Sequence, residues 1–406
     1  MKKAPSPIVS LIPIIVLVLL LFATIRTFGS DALSGGSQVS LLTTTAICIL
    51  IGMVFYKIPW KDYELAITNN IAGVATAIII LLIIGALSGI WVISGVVPTL
   101  IYYGMQIIHP SFFLASTCII CALISVMTGS SWTTIATIGI ALMGIGKAQG
   151  FEDGWIAGAI ISGAYFGDKI SPLSETTILA SSITDTPLFR HIRYMMITTV
   201  PSLVITLIIF TVAGFSHDAN NTQHIAEVAT ALNEKFHITP WLLIVPVATG
   251  ILIAKKVPSI VTLFLSTLLA AVFALIFQPD LLEEISGIAA SGFDSLFKGL
   301  MMTIYGETNL HTDNAVLTDL IATRGMSGMM NTIWLILCAM CFGGAMTASG
   351  MVGSITSIFV RFMKKTVSVV SATVCSGLFL NLTTADQYIS IILMGNMFRD
   401  IYAKKG

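Results

Sequence analysis

The sequence predicts an all-α polytopic membrane protein, built from inverted repeats with two re-entrant hairpins and a discontinuous helix. Three observations predict it. The composition is apolar, with 56% of the 406 residues hydrophobic and 10% charged, and a mean hydropathy of +0.94. Many apolar runs approach the ~20 residues that a helix needs to cross a bilayer core. Polar, hydroxyl-rich breaks then interrupt apolar segments around 128–131, 167–177 and 381–387. Broken backbone at membrane depth is tolerated only where it is buried in protein or lines a wet cavity. One polytopic unit follows, rather than a row of soluble domains. No basic patch interleaved with aromatics suggests nucleic acid as a partner. No phosphate-binding glycine loop or phosphorylatable-Asp motif suggests an ATP-driven pump. Neither an enzyme nor a resident cofactor is expected.

Taken in order, Lys2 and Lys3 precede an apolar run with Arg26 beyond its end. No clean small-x-small cleavage pattern follows, so residues 8–25 are read as the first spanning helix. Further spanning segments are expected at 39–56, 73–93, 194–215, 240–254, 259–277 and 329–349, with a broken one at 155–183. Two regions read as hairpins of paired half-helices. Residues 112–127 and 133–146 flank Thr128-Gly129-Ser130-Ser131, and 366–380 and 390–403 flank Asn381-Leu382-Thr383-Thr384-Ala385-Asp386-Gln387. Cys48, Cys118, Cys121, Cys338, Cys341 and Cys375 all fall in apolar runs with no His nearby. They read as small packing residues rather than a zinc or redox pair.

An internal repeat runs through this pattern. Ser94-Gly95 aligns with Ser349-Gly350, Gly73 with Gly328, and Gly89 with Gly344. After a small gap Thr133 falls on Thr384, and Leu142-Met143-Gly144 on Leu393-Met394-Gly395. Two polar-tipped hairpins following two glycine-punctuated helices is the pattern of repeat-built secondary transporters.

The bias of Lys and Arg toward cytoplasmic loops then sets a topology. Lys2, Lys3, Lys57, Lys61, Arg190, Arg193, Lys255, Lys256, Arg361, Lys364, Lys365, Arg399, Lys404 and Lys405 fall inside, against Lys147, Lys235, Lys298 and Arg324 outside. The first hairpin would enter from outside and the second from inside, so the repeats are expected to be inverted. The first repeat covers 1–215, with its hairpin at 110–147 and broken helix at 155–184. An extracytoplasmic loop follows at 216–238, and the second repeat covers 239–406 with its hairpin at 366–403. That second repeat lacks counterparts of the broken helix and of the helix after it, so a C-terminally truncated version of a longer chain is expected.

The break at Gly167-Asp168-Lys169-Ile170-Ser171-Pro172-Leu173-Ser174-Glu175-Thr176-Thr177 carries the chemistry. An Asp at a helix centre in the membrane costs roughly 2.5–3.5 kcal/mol. Pro172 removes a backbone donor and disfavours helical geometry at Ser171. An acid, hydroxyls and freed carbonyls in such a place read as an ion-handling site. Glu307, His311 and Asp313 also show metal-like spacing, but a polar stretch without a fourth ligand reads as a solvated loop. His191, between Arg190 and Arg193, reads as an interfacial anchor.

Three motifs together, Gly-Asp-Lys-x-Ser-Pro-Leu-Ser-x-Thr-Thr at 167–177, Thr-Gly-Ser-Ser-Trp at 128–132 and Leu-Phe-x-His-Ile-Arg at 188–193, resemble the NhaC family of sodium/proton antiporters. The resemblance runs through essentially the whole chain. It implies inverted repeats, re-entrant hairpins and an elevator-like movement of a transport domain against a scaffold. It also implies a later Pro-Trp-Asn-containing break, which this sequence lacks.

On that reading Asp168 is the titrating carboxylate, holding either H+ or Na+. Burial disfavours its charged form while a bound cation favours it. Na+ calls for several hard oxygens, by analogy with other hard cations. Candidates are Ser171, Thr176 and Thr177 in the break, Thr128, Ser130, Ser131 and Thr133 at the first tip, and Asn381, Thr383, Thr384 and Asp386 at the second. Asp386 is the runner-up titrating group. Lys169 is a candidate partner for Asp168, Pro172 opens the backbone, and Glu175 lines the cytoplasmic approach.

The function expected is secondary active exchange of Na+ for H+ across a bacterial inner membrane by alternating access, with the N-terminus cytoplasmic. An organic-acid exchanger, swapping malate or lactate with coupled ions, is the alternative. No Arg near either tip offers a bidentate clamp for a dicarboxylate. A non-transporting sensor or truncated form is a third reading, and a homodimer is left open.

Overall fold

The computed structural model describes residues 5–216, 222–308, 310, 312, 317–318, 321–355, 366–384, 387, 390–391, 394–395, 398 and 402. All regular structure among them is helical. Among the described residues, seven helices are long and apolar enough to cross a membrane: Pro7–Phe28 (α1), Gly36–Tyr56 (α2), Ala75–Ile93 (α4), Pro110–Thr128 (α6), Leu188–Ser216 (α11), Ser259–Phe277 (α14) and Gly325–Ala348. The last contains the α-helix Met330–Ala348 (α17). The chain is an all-α polytopic membrane protein. Apolar side chains at Ile8, Val18, Leu19, Phe22 and Ile25 of α1, and Ile197, Ile205, Ile208 and Val212 of α11, are exposed. Lipid is the solvent that suits such surfaces, because its tails are as apolar as they are.

Several shorter helices lie between these spans: Trp60–Gly73 (α3), Val96–Ile107 (α5), Pro279–Ser286 (α15) and Phe293–Tyr305 (α16). The region 216–238, expected as a loop, contains Thr222–Lys235 (α12). Val228, Leu232 and Phe236 are buried, and Lys235 Nζ pairs with Glu284 at 2.8 Å. The polarity that suggested a loop belongs to the outer face of an amphipathic helix. The expected span 240–254 is a 3-10 turn, Pro240–Leu243, followed by Ile244–Ala254 (α13). It meets the criteria of a span only together with Glu227–Lys235, across a bend of 92°.

The chain packs as two compact units, one of residues 79–181 and 186–329, the other of 1–78, 182–185 and 330–406. The first has a core that includes Leu87, Ile90, Trp91, Ile101, Phe113 and Ile156. A buried polar chain threads that core. Trp91 Nε1 donates to Ser266 Oγ at 3.1 Å, and the Ser266 and Thr249 hydroxyls lie 2.7 Å apart. The second unit has its own core, with Leu41, Tyr63, Phe342, Met346 and Leu380.

Helix ends follow local chemistry. Pro110 opens α6 at a position whose N–H would go unused, and His109 Nδ1 accepts from the Ser111 N–H at 3.3 Å. Gly129 closes it at φ +67°. The break expected in 155–183 divides Asp153–Ile170 (α9) from Glu175–Ile183 (α10). Pro172 has no N–H to offer the Asp168 carbonyl, which accepts from Ser171 N–H instead at 3.2 Å.

The segments aligned in the sequence share some local features. Helices α4 and α17 are each 19 residues long and run into Ser94-Gly95 and Ser349-Gly350. Both glycines have positive φ, +84° and +71°. The first hairpin arm, α6, and the helix Thr366–Thr384 (α18) also have 19 residues each. Both first arms are therefore longer than the half-helices expected, and α6 is itself of spanning length. Helix α18 carries on through Asn381, Thr383 and Thr384, so these lie in its last turn. Asn381 is exposed. The Thr373 hydroxyl lies 3.0 Å from that of Tyr402. Asp386 and the side chains of Thr383 and Thr384 lie outside the described residues, as do His311 and Asp313.

Candidate functional site

The site begins with small residues. In α9, Gly163 and Gly167 form a Gly-x-x-x-Gly face, and in α6 the facing positions include Cys118, Ala122 and Ser125. A Cβ added at Gly163 would collide with the Cys118 carbonyl, and one at Gly167 with the Ala122 carbonyl and Ser125. The two helices thus run side by side in the same direction at backbone contact, as small-residue faces allow in membranes. Ser125 Oγ donates to the Ala164 carbonyl across the seam at 2.5 Å.

That parallel packing brings the end of α6 and the end of α9 to one level. The first-hairpin tip, Gly129 and Ser130, therefore meets the break in α9–α10. A Cβ on Gly129 would stand 2.6 Å from the Leu173 carbonyl carbon. The Ser171 hydroxyl donates to the Val126 carbonyl at 2.8 Å and accepts from the Leu173 N–H at 3.2 Å. The second arm then turns back as Ser131–Thr134 (α7), a π-helical turn Ile135–Gly139 and Ile140–Ala148 (α8). Gly146 lies against Phe113 and Ile156, so this arm returns to the level where the first began. A wide π turn beside a break is a common mark of functional helices.

At this junction Ser131 Oγ donates to Asp168 Oδ2 at 2.9 Å. Ser131 is buried and Asp168 half-buried. Asp168 sits in the last turn of α9, where the helix dipole places partial negative charge. With Ser171 N–H turned to the Asp168 carbonyl, the Gly167 carbonyl loses its ordinary helical donor. The Asp168 carboxylate and the Ser131 hydroxyl thus stand side by side where the hairpin tip meets the break. The ion pair for which Lys169 was a candidate is not formed with Asp168, and Lys169 is exposed. Adjacent helix residues point about 100° apart, so chain proximity does not make them partners.

Among the described residues, Ser131 is the singled-out hydroxyl that is hydrogen-bonded to Asp168. Others shape the tip and the break. Ser130 Oγ accepts from Thr133 N–H at 3.2 Å and from the Thr133 hydroxyl at 3.1 Å. Thr128 Oγ1 donates to the Ser130 carbonyl and accepts from its N–H, both at 3.1 Å. Thr177 Oγ1 donates to the Lys169 carbonyl at 3.1 Å, closing the gap across the break. Thr176 lies with its hydroxyl 3.1 Å from that of Ser174. Glu175 is the exposed first residue of α10.

Sequence reasoning did not single out Ser125, Ser174, Gly163 or the π turn. The Gly-x-x-x-Gly spacing inside an apolar run was the available signal for the seam. The pocket beside the π turn encloses about 380 Å³ and is lined by residues including Ile135, Gly139, Met143, Ile160, Lys147 and Arg324.

Residues 163–406 match the Na+/H+ antiporter family, a span that takes in the α9 seam and the break. Over 366 residues the chain is 35% identical to the Na(+)/H(+) antiporter NhaC of Bacillus subtilis (strain 168), covering 90% of this chain and 78% of the relative. It is 36% identical over 367 residues to the Malate-2H(+)/Na(+)-lactate antiporter of the same strain, covering 90% and 75%. A third relative, the Na(+)/H(+) antiporter NhaC of Alkalihalophilus pseudofirmus, is 36% identical over 361 residues, covering 88% and 75%. With a family match over more than half its length and relatives this similar along most of theirs, the chain belongs to the Na+/H+ antiporter family.

Proposed function

We propose that the protein is a secondary active transporter exchanging Na+ for H+ across a bacterial inner membrane, with its N-terminus in the cytoplasm. The observation that carries the reading is Asp168, half-buried at a broken helix end and hydrogen-bonded by Ser131 from the hairpin tip at 2.9 Å. A site that holds either ion, but not both, couples their movements. Na+ adds its charge to the carboxylate and takes further oxygens from Ser131 and the opened backbone. A proton neutralises the same carboxylate without needing that shell. The clamps Ser171 to Val126 and Ser125 to Ala164 fasten the break to the hairpin, so these elements travel together between two exposures. The repeat boundaries near 215 and 239, and inverted orientation of the two halves, belong to the same proposal. Asn381, Thr383, Thr384 and Asp386 are proposed as ion- or proton-binding residues at the second tip.

Everted membrane vesicles with a pH-sensitive dye test this directly. Addition of Na+ or Li+ is expected to collapse the preformed pH gradient, with K+ without effect. The similarity to a malate/lactate antiporter supports a second reading, in which response requires malate or lactate. Movement only with those acids would favour that reading, and no response to any of them would overturn both.

Ser131→Ala is expected to raise the Na+ concentration for half-maximal exchange by about tenfold, as hydrogen bonds to charged groups contribute about 1.5–3 kcal/mol. Maximal rate should change less than half-saturation. An unchanged half-saturation would remove Ser131 from the site.

A further inference from the structure

In the unit formed by residues 1–78, 182–185 and 330–406, three sulfur atoms converge. Cys48 Sγ lies 3.7 Å from Met346 Sδ and 3.7 Å from Met351 Sδ, with Ser349 Oγ also at 3.7 Å. Cys48, Met346 and Met351 are all fully buried. We propose that Cys48, Met346 and Met351 form a binding site for a soft monovalent metal ion of the Cu(I) class, built from residues that the transport reading does not use.

The chain reaches this arrangement through a local device. Met346 and Met351 are five residues apart and would diverge on a straight helix, which repeats every 3.6 residues. Gly350, at φ +71°, breaks the helix between them, and both thioethers then meet the thiol from α2. Three sulfurs around one ion at the metal–thiolate length of ~2.3 Å would stand about 4.0 Å apart in a plane. The two measured separations are within a few tenths of that. One turn along α2 from Cys48, Gly52 lies against the hydroxyl of Tyr63. That hydroxyl is buried with no hydrogen-bond partner among the described residues.

Ligand type and charge select the ion. Thiolate and thioether are soft ligands and favour Cu(I), whereas Na+ favours oxygen. One thiolate neutralises one monovalent ion, leaving no net charge in an apolar core, while a divalent ion would leave an uncompensated charge that burial penalises. No group of three His, Cys, Asp or Glu side chains gathers among the described residues to compete as a site. Binding replaces the S–H bond of Cys48 with a sulfur–metal bond and releases one proton to solvent, with no change of oxidation state.

The bland alternative is that the sulfurs fill gaps in the core, as Met and Cys often do. Anaerobic titration of the purified full chain with Cu(I), against a chromogenic Cu(I) chelator, separates the two. The comparison is Met346→Leu/Met351→Leu, which nearly preserves volume and leaves all six cysteines in place. Wild type should bind one Cu(I) more than the double variant, or bind it at least tenfold more tightly, and release one additional proton. Cys48→Ala should lose the same ion. Equal binding and proton release by wild type and the double variant would overturn the site. Thermal melting without metal reports whether the double variant folds, and Met351→Leu alone carries the comparison if it does not.

Discussion

Asp168→Asn is expected to abolish Na+-dependent proton movement while leaving the protein inserted and folded. Asn is nearly isosteric and can still accept from the Ser131 hydroxyl, so the contact at 2.9 Å survives in the variant. What is lost is the charge. Removing one partner of a desolvated charge contact costs on the order of 2–5 kcal/mol, or about 30-fold to several thousand-fold in ion affinity. Asn also cannot carry the exchanged proton, so raising Na+ should not restore turnover. Dye measurements in everted vesicles, alongside size-exclusion profiles of the purified variant, check both halves. Normal exchange by Asp168→Asn would remove this residue from the ion path. A variant that fails to fold would shift the test to Asp168→Glu, which keeps the charge and should retain partial exchange.

Gly129→Ala is expected to give the second large effect, by separating the hairpin tip from the break. The position has φ +67° and its Cβ would stand 2.6 Å from the Leu173 carbonyl carbon and 2.7 Å from Leu173 Cβ. The left-handed conformation costs a side chain about 1–2 kcal/mol, and the crowding typically adds about 1–3 kcal/mol. Relief requires the 171–174 segment to move away, which pulls on the Ser171-to-Val126 bond and displaces Asp168 from Ser131. A lower melting temperature and a more than tenfold loss of exchange should appear together. Gly154 is the control: nothing lies within 4 Å of a Cβ added there, and it sits in the first turn of α9. Gly154→Ala should therefore leave both properties nearly unchanged. Full activity and stability in Gly129→Ala would show that the tip does not rest on the break.

Much of this arrangement is legible in the sequence, and the reasons are local. Spanning helices announce themselves by apolar length, since lipid offers the backbone no partners. Pro172 marks the break because a missing N–H cannot be supplied by any fold. The Ser-Gly ends of α4 and α17 align in the sequence, and each helix ends at a glycine of positive φ, a conformation that favours glycine. Helices α3, α5, α12, α15 and α16 were harder to see. Each is too short or too polar to span, and amphipathic periodicity in a strongly apolar chain has little contrast.

The candidate site divides along the same line. The proposal that an acid, hydroxyls and a proline at 128–131 and 167–177 serve an ion rests on cost: such groups are expensive in a membrane unless they are shielded. Which hydroxyl serves which purpose does not. Ser171 and Thr177 look like Ser131 in the sequence, yet the first fastens the break to Val126 and the second spans it to Lys169. A hydroxyl bonds whatever acceptor tertiary packing brings within 3 Å, and here the Gly163–Gly167 seam decides which acceptors those are. Composition and backbone chemistry by themselves determined the helical membrane fold, the location of the break and the presence of a carboxylate in it. Only the tertiary structure decided that Ser131 faces Asp168 and Lys169 does not, because side-chain partnership depends on directions set by packing rather than on distance along the chain.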